Sequence, residues 1–306
     1  MPEQLSASVD CFLDTLRFAR NASGHTVANY SIDLSQFVEY AVARGVSSMR
    51  DVDSRIIRSF LRDLVGYGYA KTSAARKLST IRSLCSFLVE RQELKVDPSA
   101  SVRGPRLPGR LPRALSRGDA KRLVEAVPED DHAARDSAVL ELLYGCGLRI
   151  AEVVGLTWDA VDLGERWLRI LGKGDKERMV PMGRYAVCSL ELWKRECSCL
   201  SQGRDLPDIP GATFVFPGKG DSPMTVRTVA RIVDRAALKA GIPGVTPHVL
   251  RHSYATHMLE GGASIRVLQE LLGHESIVTT QRYVTVTADR LRESYIRAHP
   301  RAKEGD

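Results

Sequence analysis

The residues best suited to chemistry lie in one stretch towards the carboxyl end of the 306-residue chain. Thr246 is a good helix N-cap and the Gly261-Gly262 pair is a good stop signal, which together predict a helix between them. At 100° per residue, the side chains of His248, Arg251 and His252 project from one face of that helix. The sequence therefore predicts a helical face on which a guanidinium stands beside imidazoles.

A metal site is one alternative for this face, because His248 and His252 are four residues apart. However, Val249 stands where a metalloprotease helix carries its glutamate, and no partnering carboxylate motif follows. Each histidine alone is equally compatible with an ordinary packed or solvated side chain. The cysteines show no C-x-x-C pair, and we expect neither a metal nor a cofactor.

Three further signals complete the set of candidate residues. Arg149 follows Gly147 at the predicted start of a helix, where free backbone N–H groups favour an anion. Lys173 lies in a Gly-Lys-Gly turn between two predicted strands, Trp167–Ile170 and Arg178–Val180. Downstream, the sequence reads Leu272-Gly273-His274 and then Thr279-Thr280-Gln281-Arg282-Tyr283.

These motifs, in this order, resemble the tyrosine recombinase (integrase) family. The carriers are His248-x-x-Arg251, the Gly273-His274 pair and Tyr283 nine residues after His274. The run Thr-Pro-His-x-Leu-Arg-His-Ser-Tyr-Ala-Thr-His is similar to the Xer branch of the family. The resemblance covers nearly the whole chain.

The resemblance implies DNA strand cleavage and ligation that need neither metal nor ATP. Tyr283 would attack the scissile phosphate and form a 3′-phosphotyrosyl enzyme. Arg149 and Arg251 would bind the two non-bridging oxygens, since a planar guanidinium can bind phosphate bidentately. His248 and His274 would add hydrogen bonds, and Lys173 would protonate the departing 5′ oxygen.

The periodicity predicts a mainly helical protein of two domains. Residues 1–103 read as about four amphipathic helices, and residues 114–306 as a mixed α/β domain that is mostly helical, with a small β-hairpin. The resemblance identifies these as a SAM-like core-binding domain that clamps DNA and a catalytic domain that ends in a C-terminal exchange helix. Residues 104–113 form a Pro/Gly-rich basic linker between the two.

Charge favours a polyanionic partner, because the formal net charge is +7. We expect two basic segments to contact double-stranded DNA, with an ordinary solvated helix face and an ordinary solubilised linker as the alternatives. The predicted contacts are Lys71, Thr72, Arg76, Lys77 and Arg82 in the fourth helix, and Arg106, Arg110 and Arg113 in the linker.

The expected partners follow from the resemblance: a DNA recombination site, a homo-tetramer or a hetero-tetramer with a second recombinase, and in some systems a DNA translocase. The helix around Leu291 and Tyr295 would dock into a neighbouring protomer. No signal peptide or apolar run of membrane-spanning length occurs, so we expect a cytoplasmic protein that resolves chromosome or plasmid dimers. The alternatives are a mobile-element integrase, a type IB topoisomerase-like nicking-closing enzyme and a non-catalytic DNA-binding accessory protein.

Overall fold

A computed structural model describes residues 3–19, 24–106, 114–172, 177–201, 213–220, 222–273 and 287–302. The chain divides into two compact units, Met1–Gly109 and Arg110–Asp306. The division falls within the basic Pro/Gly segment 104–113 of the sequence. Each unit has its own core of buried apolar side chains.

The described part of the N-terminal unit is helical, as the sequence predicts. Its α-helices are α1 (Glu3–Asp14), α2 (Gly24–Val42), α3 (Ser54–Gly66) and α4 (Lys71–Glu90). The start of α3 is fixed by Asp53, whose carboxylate accepts from the backbone N–H groups of Arg55 and Ile56, both at 2.9 Å. The apolar faces of the helices meet in a core that includes Phe37 and Ile81.

The described part of the C-terminal unit is mainly helical with one small sheet. Its helices are α5 (Arg117–Glu125), α6 (Ala133–Tyr144), α7 (Ile150–Val154), α8 (Arg184–Ser201), α9 (Val226–Lys239), α10 (Pro247–Glu260), α11 (Ile265–Leu272) and α12 (Ala288–Ala298). Its strands are β1 (Val161–Asp162), β2 (Trp167–Leu171) and β3 (Glu177–Pro181), antiparallel in the order β1-β2-β3. Trp167 pairs with Pro181 and Leu171 with Glu177.

Local signals set the ends of the helices that carry the candidate site. The hydroxyl of Thr246 accepts from the N–H of Val249, and α10 ends at Gly261. Ser116 caps α5 in the same way, accepting from Asp119 at 3.0 Å. Phe214–Pro217 has the residues of a short strand but does not form one. Phe214 and Pro217 each make only an isolated bridge, with Thr157 and Pro223 respectively.

The terminal helix α12 packs on its own unit. Leu291, Tyr295 and Ala298 are buried, and the Tyr295 hydroxyl donates to the carbonyl of Gly145 at 2.9 Å. The chain after the helix is held as well, since Arg301 pairs with Glu141 and Glu125. Docking into a neighbouring protomer therefore requires α12 to leave these contacts.

Candidate active site

Arg149 lies at the N-cap of α7, as the sequence predicts, but the anion at that position is a protein carboxylate. The backbone N–H of Arg149 donates to Glu152 Oε2 at 2.7 Å, and its Nη1 donates to Glu152 Oε1 at 2.8 Å. The backbone N–H of Arg149 is thus already paired within the protein. The guanidinium of Arg149, with the side chain 41% exposed, is the group available to a ligand.

Arg251 reaches the same carboxylate from α10. Its Nη1 lies 3.7 Å from Glu152 Oε2 and donates to the carbonyl of Gly147, while Nη2 donates to the carbonyl of Leu272 at 2.7 Å. Gly147 has a φ of +63°, and a Cβ there would lie 2.4 Å from the ring of Tyr254. Only glycine fits this position, so the Gly-Cys-Gly turn brings its carbonyl within reach of Arg251.

Glu152 and Arg178 were not predicted from the sequence. Both are nearly buried, and Arg178 Nη1 and Nη2 donate to the two oxygens of Glu152 at 2.9 and 2.8 Å. Burial alone would raise the pKa of Glu152, but the hydrogen bonds and charge of Arg178 and Arg149 outweigh it and hold the pKa below its usual value. Glu152 is therefore an ionised carboxylate among three guanidinium groups.

The same three arginines bind the carboxyl end of α11. Arg178 Nε donates to the carbonyl of Leu271 at 2.8 Å, Arg251 to that of Leu272 at 2.7 Å and Arg149 to that of Gly273 at 3.0 Å. Cations are favoured there because the last carbonyls of a helix have no partner within the helix. The three guanidinium groups thus fix the position where α11 ends and His274 follows.

Arg251 is the most perturbed cation of the cluster. Burial lowers its pKa to about 10, and the charges of Arg149 and Arg178 act in the same direction while Glu152 opposes them. Arg251 therefore stays protonated near neutral pH, beside a second guanidinium that is partly exposed. Two adjacent guanidinium groups that stay charged are suited to binding the two non-bridging oxygens of a phosphate diester.

The candidate histidines separate into exposed and buried residues. His248 lies on α10 three residues before Arg251 and is exposed, as is His252. His257 is buried, with ring nitrogens 2.9 Å from the Tyr144 hydroxyl and 2.9 Å from the Leu115 carbonyl, which makes it a core residue. Lys173, His274 and Tyr283 lie outside the described residues.

The predicted DNA contacts of α4 have different environments. Lys71 and Thr72 are exposed, whereas Lys77 is 2% exposed and its Nζ lies 2.8 Å from buried Asp33. Lys77 is therefore not on the surface that was expected to face DNA, because its ammonium group pairs with the buried carboxylate of Asp33. Arg76 also pairs with Asp33 but stays half exposed, and exposed Arg82 donates to the carbonyl of Val102.

In the linker, Arg106 is exposed, while Arg110 and Arg113 lie outside the described residues. Among the residues that the structure describes, no group of His, Cys, Asp or Glu could hold a metal ion. Cys146 is a buried thiol whose pKa burial raises far above its usual value, as expected for a core cysteine. No helix in the described part of the chain is long and apolar enough to cross a membrane.

The sequence of this chain matches two families of known proteins. Residues 113–290 match the Phage integrase family, and residues 9–92 match the Phage integrase N-terminal SAM-like domain. It is 37% identical over 298 residues to the tyrosine recombinase XerC of Xanthomonas campestris pv. campestris (strain B100), covering 97% of this chain and 89% of that protein. It is 38% identical over 300 residues to the tyrosine recombinase XerD of Shewanella oneidensis, covering 97% and 98%.

Solved structures share the fold. The XerH site-specific recombinase bound to its difH substrate aligns with a TM-score of 0.62 at 22% identity, over 95% of this chain and 82% of that one. The Tn1549 transposon integrase in complex with circular intermediate DNA aligns with a TM-score of 0.64 at 18% identity, over 94% and 98%.

A SAM-like helical domain, followed by a catalytic domain in which two arginines converge beside a helical histidine, defines a site-specific DNA recombinase of the tyrosine type. The chain belongs to the tyrosine recombinase (phage integrase) family and within it is Xer-like. Such enzymes cut DNA strands and rejoin them in new connections.

Proposed function

We propose that Tyr283 is the nucleophile and that Arg149 and Arg251 bind the scissile phosphate. The observation that supports this assignment is the convergence of the two arginines. They come from segments about 100 residues apart, yet both reach Glu152 and both bond to the last carbonyls before His274. Their charge does not depend on pH in the physiological range, which suits stabilisation of a phosphorane-like transition state.

The reaction balances with these residues alone. The Tyr283 oxygen forms a bond to phosphorus, the bond to the 5′ oxygen breaks, and the 3′ phosphate remains on the tyrosine. A free tyrosine has a pKa of about 10, so we assign His248 to accept its proton and Lys173 to give one to the leaving oxygen. His274 adds a hydrogen bond to the phosphate. Attack by a 5′ hydroxyl of the partner duplex reverses the steps.

DNA binding beyond the scissile phosphate is assigned to residues of α4 and of the linker. These are Lys71, Thr72, Arg76 and Arg82 of α4, which are exposed, and Arg106, Arg110 and Arg113 of the linker. Lys77 contributes to DNA binding indirectly, because it pairs with Asp33, which in turn pairs with Arg76. Contacts of this kind position a protein on the backbone without reading the base sequence.

The biological role is that of a cytoplasmic dimer-resolving enzyme. Xer proteins resolve chromosome dimers, and both a XerC and a XerD stand among the relatives of this chain. We infer a tetramer on two recombination sites, formed by this chain alone or with a second recombinase. In that assembly α12 leaves its own unit and docks on a neighbour.

A covalent adduct tests the assignment. Nicked duplexes that carry candidate dimer-resolution sites are incubated with the wild type and with Tyr283→Phe, then resolved on a denaturing gel. We expect an adduct with the wild type and none with Tyr283→Phe, because the variant keeps the ring but lacks the nucleophilic oxygen. Tight, site-specific binding by a wild type that never forms an adduct would contradict the proposal and favour an accessory DNA-binding protein.

A further inference from the structure

Arg178 is a buried cation that the proposed chemistry does not use. It is the second residue of β3, and the alternation of that strand turns it inward together with Val180 while Met179 faces out. A buried arginine is costly unless its donors are paired, and here Nε, Nη1 and Nη2 all have acceptors. Arg178 therefore faces inward to form hydrogen bonds with neighbouring elements, and it does not fill the apolar core.

Those neighbours come from two other elements of the site. The two outer nitrogens hold Glu152 at the start of α7, and Nε holds the Leu271 carbonyl at the end of α11. Gly273 is packed against the same side chain, since a Cβ at Gly273 would lie 3.1 Å from Arg178 Cδ. Arg178 thus joins the residue that orients Arg149 to the turn that precedes His274.

The charge of Arg178 also determines what Glu152 does to the phosphate arginines. With Arg178 present, both oxygens of Glu152 have a partner that is not expected to face DNA. Without it, the carboxylate would be shared by Arg149 and Arg251 alone and would neutralise charge that should act on the phosphate. In a buried site such a change is weakly screened by water.

We infer that Arg178 is a positioning residue of the cleavage reaction, which holds Glu152 and the end of α11 so that Arg149 and Arg251 face the scissile phosphate fully charged. This inference rests on the proposed function. Arg178 is buried and is not expected to contact DNA itself. Its removal should slow cleavage more than it weakens binding to the same duplex.

The test compares two substrates within each variant. One is the nicked duplex that gives the covalent adduct, and the other has one non-bridging oxygen of the scissile phosphate replaced by methyl, which removes its charge. The readout is the single-turnover rate of adduct formation on the methylphosphonate divided by the rate on the phosphate. Because the ratio is taken within one variant, losses of folded or assembled protein cancel.

Four variants are measured: Arg149→Ala, Arg178→Met, Arg178→Lys and Arg301→Met. Arg301 is the matched control, because it is as buried as Arg178 (7% against 8% exposed) and its ion pairs are with Glu125 and Glu141 rather than with Glu152. We expect Arg178→Met to slow cleavage of the phosphate about 100-fold, as a small misplacement of catalytic groups can do. The rate ratio should rise about tenfold in Arg149→Ala and in Arg178→Met.

Arg178→Lys should give an intermediate ratio, since one ammonium cannot bond to Glu152 and Leu271 as the guanidinium does. Arg301→Met should keep the wild-type ratio whatever its rate. If Arg178→Met does not fold, Arg178→Lys carries the comparison. A wild-type ratio in both Arg178 variants, with a raised ratio in Arg149→Ala, would overturn the inference alone. An unchanged ratio in Arg149→Ala would instead overturn the proposed phosphate site, and the inference with it.

Discussion

His299 is a fully buried imidazole in the C-terminal unit. Its ring stacks on Tyr295 at a centroid distance of 5.4 Å and lies 5.1 Å from the ring of Tyr254. Burial, together with the charges of His257 and Arg301, lowers the pKa of His299 to about 3. Its Nδ1 accepts from the backbone N–H of Arg301, so the neutral ring fixes the chain that follows α12.

The neutral state of His299 predicts a pH dependence of stability. An unfolded histidine has a pKa of about 6.5, so between that value and about 3 the unfolded chain binds a proton that the folded chain does not. The contribution is complete above about pH 6.5 and is lost as the pH falls towards 3. Between pH 7.5 and 5 the wild type should lose about 2 kcal/mol that His299→Asn does not lose.

Urea unfolding followed by tryptophan fluorescence measures this, because all three tryptophans lie in the C-terminal unit. His252→Asn is the control, since it removes an exposed imidazole from the same unit. Equal losses of the free energy of unfolding in the wild type and His299→Asn would show that His299 titrates normally in the folded state.

Site residues could be predicted from the sequence where a local motif contains them. They could not be predicted where their role depends on a residue distant in the chain. Arg149 and Arg251 follow from local spacing and resemblance. Glu152 carries a local signal, namely its position three residues after an N-cap, as in a capping box. The role of Arg178 depends on a contact 93 residues away along the chain, which no local pattern encodes.

The end of α12 packs closely against the end of α10. A Cβ at Gly261, the C-cap of α10, would lie 2.1 Å from the Ala298 carbonyl at the end of α12. Gly261 has a φ of −79°, so alanine there is not strained by the backbone. Gly261→Ala should therefore push α12 off its own unit while α10 stays intact.

Hydrogen exchange of the amides in α12 checks this, and faster exchange confined to α12 and its contacts is expected. The control is Gly66→Ala at the end of α3, where an added Cβ meets nothing within 4 Å. If exchange in α12 is unchanged in Gly261→Ala, the helix is not held by this close approach. A released helix is the form that the proposed assembly needs.

Local caps set the starts of α3, α5 and α10, at Asp53, Ser116 and Thr246 respectively. The structure departs from local preference where distant contacts replace it. Phe214 reads as part of a strand because it is aromatic and flanked by β-formers, but it pairs with only one residue, Thr157. Lys77 lies in a sequence typical of an exposed helix face, but its ion pair with Asp33, 44 residues earlier, makes it a buried residue.

For the whole molecule, the distribution of charge matters more than its sum. Many exposed arginines of the N-terminal unit are already paired with carboxylates, and examples are Arg44 with Asp63, Arg55 with Asp53 and Arg91 with Glu93. The linker 104–113 carries three arginines and no acidic residue. DNA phosphates should therefore be bound mainly by the linker, because paired cations are already neutralised.

The salt dependence of DNA binding distinguishes these two kinds of arginine. Neutralised phosphates release counterions, so each contact adds about 0.9 to the slope of log K against log salt. In a Tyr283→Phe background, which binds without cutting, changing Arg106, Arg110 and Arg113 to Gln should lower the slope by about 2 to 3. Changing Arg44, Arg55 and Arg91 to Gln removes the same net charge and should leave the slope nearly as it was. Equal reductions in the two triple variants would mean that the overall electrostatic field of the protein, rather than direct contact by the linker, binds the DNA.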